Sequence, residues 1–134
     1  MAPVAAYAKE RGIRVGGHIP AFMRAEEAVR TGFDEIQHIN QVMLNFLVKK
    51  DDDTRTLLRF YLVGDNANQI DLESGVVKDF IQLLVDRKTT IDPTMTASTQ
   101  YSGVDEGAFA PSRNHTAMRS RSAMVAFVRL TIGM

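Results

Sequence analysis

Two histidines set the chemistry this chain could do. His18 ends the run Ile13-Arg14-Val15-Gly16-Gly17-His18, and His38, 20 residues later, ends Phe33-Asp34-Glu35-Ile36-Gln37-His38. Each run reads as a buried β-strand. Parallel strands joined by helices put their C-terminal ends on one face, and in barrels that face carries the active site. Two neutral imidazoles at neighbouring strand ends can therefore converge on one divalent metal, zinc being the commonest partner of such ligands. On composition alone a hydrogen-bonded structural histidine is the commoner reading. Other motifs are absent. Gly16-Gly17 opens no phosphate-loop pattern, Asp51-Asp52-Asp53 lacks the alternating spacing of a calcium loop, and no serine stands in a G-x-S-x-G frame. Cysteine is absent, which excludes thiolate ligands, a thiol nucleophile and disulfides.

The elements that must hold the histidines can be read around them. Pro3 and Gly12 bracket a first helix whose apolar face is Val4, Ala5, Tyr7 and Ala8. Strand 13–18 follows at once. Pro20 opens a second helix over 21–31, with Phe22, Ala25, Ala28 and Val29 as its buried stripe and Gly32 as its stop. Strand 33–38 comes next. This α-β-α-β order with short connections predicts parallel strands with right-handed crossovers. Residues 41–48 read as a helix, 54–62 as a helical turn and 64–68 as a turn cluster. Asp71 or Ser74 caps a helix running to about Lys88, with Val77, Phe80, Ile81 and Leu84 as its stripe. Residues 89–92 read as a third strand, stopped by Pro93. Residues 94–110 read as a long loop. Beyond them only 124–132 shows a clean apolar period.

The 134 residues suit one domain, and 45% apolar with 24% charged residues suits an ordinary globular protein. No apolar run approaches the roughly 20 residues that span a bilayer. The first residues lack the basic and apolar regions of a signal peptide. A soluble, cytoplasmic chain with no membrane partner is expected. The net charge of zero hides an asymmetry: residues 1–106 hold 12 basic and 16 acidic side chains, and residues 107–134 hold four arginines and no acid. Four dispersed arginines with few aromatics do not make a nucleic-acid surface, and nucleic acid is not an expected partner.

Three segments carry a resemblance. GIRVGGHIP, AVRTGFDEIQHIN and TTIDPTM, in this order and spacing, resemble the fifth, sixth and seventh strands of the metal-dependent amidohydrolase superfamily. The likeness is greatest to its imidazolonepropionase- and prolidase-like branch. It covers residues 1–96 and does not extend to 111–134. It implies an α/β fold, a partial (β/α)8 TIM-type barrel of parallel strands and flanking helices, with residues 1–110 as the barrel part and 111–134 as an atypical basic tail. It implies His18 and His38 as ligands of zinc or another divalent metal. Asn40 and Gln41 follow the sixth strand, and Asp92 and Thr94 match the seventh, so the resemblance implies these four as substrate-lining residues. The chemistry implied is hydrolysis of a C–N bond in a small or peptide-like amide by a metal-activated water.

The chain departs from that pattern in what it lacks. It contains no His-x-His pair, no counterpart of the fourth-strand ligand, and no aspartate after Asp105 to accept the water's proton. No catalytic residue is therefore assigned. A part-barrel leaves two open strand edges and one uncovered apolar face. Self-association into a homo-oligomer is expected, or a tail helix folded over the core. The alternative to an enzyme is a catalytically silent, self-associating barrel fragment.

Overall fold

The structure, a computed structural model, describes residues 1–94 and 115–132. The expected loop over 94–110 lies, beyond Thr94, outside the described residues. The fold is α/β, with a small parallel three-strand sheet flanked by helices. Strands β1 (Gly16–Gly17), β2 (Glu35–Gln37) and β3 (Thr90–Asp92) lie in that order. Helix α1 (Ala2–Glu10) precedes β1, and α2 (Ala25–Thr31) crosses from β1 to β2. Helices α3 (Ile39–Leu47) and α4 (Leu58–Asn66), a 3-10 turn (Ala67–Gln69) and α5 (Gly75–Arg87) lead to β3. Helix α6 (His115–Ile132) completes the described chain.

The register gives the sheet two unlike faces. Gly16, Glu35 and Thr90 share one row, Gly17, Ile36 and Ile91 the next, and Gln37 pairs with Asp92 beyond them. Side chains alternate between faces along a strand. Ile36 and Ile91 therefore turn into the helical core, and Glu35, Gln37, Thr90 and Asp92 line the opposite side. Among the described residues the face turned away from the helical core is thus polar rather than apolar, which corrects the expectation. Gly16 is required on that face: a Cβ there would sit 3.0 Å from the Glu35 Cβ.

The core joins α2, β2, α3, α4, α5 and α6 in one cluster. Helix α5 keeps the expected stripe, with Val77, Phe80, Ile81 and Leu84 all buried. Ser74 caps it by accepting the Val77 N–H at 3.4 Å, and Lys88 ends it in the left-handed conformation. Helix α6 supplies Met124 and Phe127 to the same core. The Phe127 ring lies 6.2 Å from that of Phe46 and 6.5 Å from that of Phe80, and Phe46 meets Phe80 edge-on at 5.6 Å. A C-terminal helix does cover the core.

Four local expectations are corrected. Residues 13–15 are not strand, and Ile13 is 57% exposed; among the described residues β1 is the sheet edge, with no strand beyond it. Helix α2 starts at Ala25, not at 21. Its first N–H groups are met by Glu27, which accepts from Arg24 N–H at 2.8 Å, and by Asn45 Oδ1, which accepts from Glu26 N–H at 2.9 Å. Phe22 lies in the preceding turn with φ +60° and is exposed. Finally, Gly64, Asp65 and Asn66 belong to α4 rather than to a turn, because Val63 and Ala67 on that stretch are buried. On α1, Ala5 and Ala8 are buried, whereas Val4 and Tyr7 face solvent.

Candidate metal centre

His38 is the residue on which β2 becomes α3 without a loop. It takes φ +66°, and Ile39 is already helical. The strand β3 holds the junction: His38 N–H donates to the Asp92 carbonyl at 2.8 Å, and Ile39 N–H donates to the Pro93 carbonyl at 3.2 Å. This turn decides the ring's position. Extending the β1–β2 register by one residue puts His18 opposite Gln37, so His38 stands one step further along. Strict alternation would send the two rings to opposite faces of the sheet. The left-handed backbone at His38 brings them together instead.

The result is a convergent pair. His18 Nε2 and His38 Nε2 are 2.6 Å apart, with ring centroids 4.5 Å apart and planes inclined by 55°. On its other side, His38 Nδ1 is hydrogen-bonded to Thr94 Oγ1. Thr94 also has positive φ, and its N–H donates to Asp92 Oδ1 at 3.1 Å. The two expected ligands are thus brought together at the C-terminal ends of adjacent parallel strands. His18 is exposed and His38 half-buried.

Burial is the main cause that holds the His38 pKa below its usual 6.5. The nearby His18 and Arg59 act in the same direction, and Asp92 opposes them. Two facing Nε2 atoms have room for one proton between them, so a doubly protonated pair is disfavoured.

As a metal site, the pair is one half of what zinc chemistry requires. Two Zn–N bonds of about 2.0–2.1 Å at a tetrahedral angle span about 3.3 Å, so the rings must part slightly to admit an ion. Exposed His18, which follows Gly17 at φ +140°, is the ring free to move. Catalytic zinc sites usually have three protein ligands, and no group of three His, Cys, Asp or Glu able to hold a metal occurs among the described residues. The donor type fits the group, and the donor number accounts for a half-site.

The four expected substrate-lining residues separate into two places. Asp92 and Thr94 adjoin His38. Asn40 and Gln41 lie on the first turn of α3. Gln41 is only 7% exposed and lines a narrow cleft with Ile19, Pro20, Met23 and Leu44. Arg59, on α4, was not singled out from the sequence. Its charge acts on His38, and its Nε is buried with no hydrogen-bond partner among the described residues. Nothing in the spacing of α4 marks it, because its nearness to His38 arises from the packing of α4 on α3.

A cleft of about 630 Å³ lies at the other end of the strands, among α1, the end of α2 and the end of α5. Of its four basic residues Lys9, Arg14, Arg30 and Arg87, all but Arg14 stand in the last turn of a helix. There they complement the negative end of the helix dipole. Comparison with known protein families, curated proteins and solved structures found no match. No helix among the described residues is long and apolar enough to cross a membrane.

Proposed function

We propose that this chain carries a two-histidine half-site for a divalent metal, zinc foremost, on a partial amidohydrolase-type (β/α)8 barrel. The observation that carries the reading is the convergence of His18 Nε2 and His38 Nε2 at adjacent parallel strand ends. When bound, the metal would supply an activated water for C–N hydrolysis of a small or peptide-like amide. The chain's own residues hold and orient. Its β3 end clamps the His38–Ile39 junction through two main-chain hydrogen bonds, and His18 is the exposed member of the pair. Further ligands would come from another chain. The isolated chain is expected to bind metal and not to hydrolyse amides.

Elemental analysis of protein equilibrated with zinc and then freed of unbound ion tests this. Up to one equivalent per chain is expected, lost in the His18→Ala/His38→Ala double variant. Wild-type protein that retains no zinc at tens of micromolar overturns the half-site.

A second reading is a self-associating unit without chemistry. One observation favours it: among the described residues β1 and β3 are both edge strands, and unpaired edges template pairing with another chain. Sedimentation at tens of micromolar separates the readings. A dimer or larger species that persists in the double-histidine variant supports the second, and a monomer sinks it.

A further inference from the structure

We infer that Thr94 is a positioning residue that fixes the tautomer of His38, so that Nδ1 carries the proton and Nε2 presents its lone pair toward His18. The use of this lone pair rests on the proposed metal half-site. The tautomer itself is a property of the metal-free chain.

The argument starts from the backbone of β3. Asp92 Oδ1 accepts the N–H of Thr94 at 3.1 Å, and Thr94 takes φ +43°. This tight turn folds Thr94 back over the strand end, so that its hydroxyl oxygen meets His38 Nδ1. A threonine hydroxyl can donate or accept, and a neutral imidazole offers either role at Nδ1. The surrounding charge chooses between them. The carboxylate of Asp92 is tied to Thr94 and therefore lies on the Nδ1 side of the ring. Its charge favours the electropositive N–H edge of the imidazole on that side. Nδ1–H then donates to Thr94 Oγ1, and Nε2 is left as an acceptor.

The opposite side of the ring agrees with this polarity. Nε2 of His38 faces Nε2 of His18 at 2.6 Å. With the His38 lone pair there, His18 supplies the proton between the two nitrogens. His18 is exposed, and no hydrogen bond among the described residues holds its Nδ1, so its tautomer adapts. The chain of contacts thus runs Asp92, Thr94, His38, His18, and only the last member is free to change. A partner that holds the outer nitrogen of a ligating histidine sets its tautomer and orientation. Thr94 has that place here, and so acts through His38 rather than by touching substrate.

The experiment is a long-range ¹H–¹⁵N correlation spectrum of metal-free protein labelled in histidine, at pH 8. Wild type and Thr94→Ser are expected to show His38 Nδ1 as a protonated nitrogen and Nε2 as an unprotonated one. Thr94→Val keeps the side-chain volume and removes the hydroxyl. In it, the His38 proton is expected to move to Nε2, wholly or in part. Zinc affinity measured by calorimetry is expected to fall about 10–100-fold in Thr94→Val and to return in Thr94→Ser. An unprotonated Nδ1 in the wild type overturns the inference without any variant, and so does a Thr94→Val spectrum identical to wild type. If the tautomer moves as expected and no protein binds zinc, the Thr94 role stands and the half-site falls. If zinc binds and the tautomer is indifferent to Thr94, the half-site stands and the Thr94 role falls.

Discussion

Protonation separates His38 from an ordinary surface histidine. Its pKa lies below 6.5 in the folded chain, chiefly because it is partly buried, so the unfolded chain takes up its proton first on acidification. The sign follows from linkage: between the folded pKa and 6.5 the unfolded state binds more protons, so stability rises with pH in that window. Above 6.5 the group contributes no pH dependence, and below the folded pKa the loss is complete. Urea midpoints at pH 8 and pH 5 should therefore differ by less in His38→Gln than in wild type. Zinc affinity should fall across the same acid range, because the ligand must be neutral. Arg59 offers a separate check. Its charge disfavours protonated His38, so Arg59→Met should move the His38 titration upward in NMR, and a downward movement would contradict the assignment.

At the level of elements, the most legible parts of the sequence were those governed by local rules. Helix α5 has its serine cap, its four-residue apolar stripe and its end where a single chain segment predicts them. Strand β3 is bounded by Pro93. What could not be read depended on contacts distant in sequence. Asn45 on α3 caps α2, which shifts the helix start past Pro20 and leaves Phe22 outside. The carbonyls of Asp92 and Pro93 hold the β2–α3 junction, so α3 begins two residues before its apolar pattern suggested. The two histidines were legible as a pair, but the left-handed turn that makes them meet was not. Gly64 was read as a turn residue and is helical. A Cβ there would meet nothing within 4 Å, so Gly64→Ala should stabilise the chain by about 0.5–1 kcal/mol. A thermal midpoint unchanged or lowered would argue against a helical Gly64. Ser74→Ala should destabilise by about 1 kcal/mol through loss of the α5 cap.

For the whole molecule, the placement of α6 matters most. Phe127 is fully buried between Phe46 and Phe80. Removal of such a ring typically costs about 3–5 kcal/mol, a large share of the 5–15 kcal/mol that holds a typical protein together. Phe127→Ala should therefore show a greatly lowered denaturant midpoint, and little change would mean that α6 is not part of the core. Helix α6 is thus joined through this ring to the helices that flank the sheet. This has a consequence in time. Ribosomes add about 5–20 residues per second, so roughly 2–7 s separate the synthesis of Thr94 from that of Phe127, 33 positions later. During that interval the nascent chain already has its strands and its histidines, while Phe46 and Phe80 still lack the ring that closes over them.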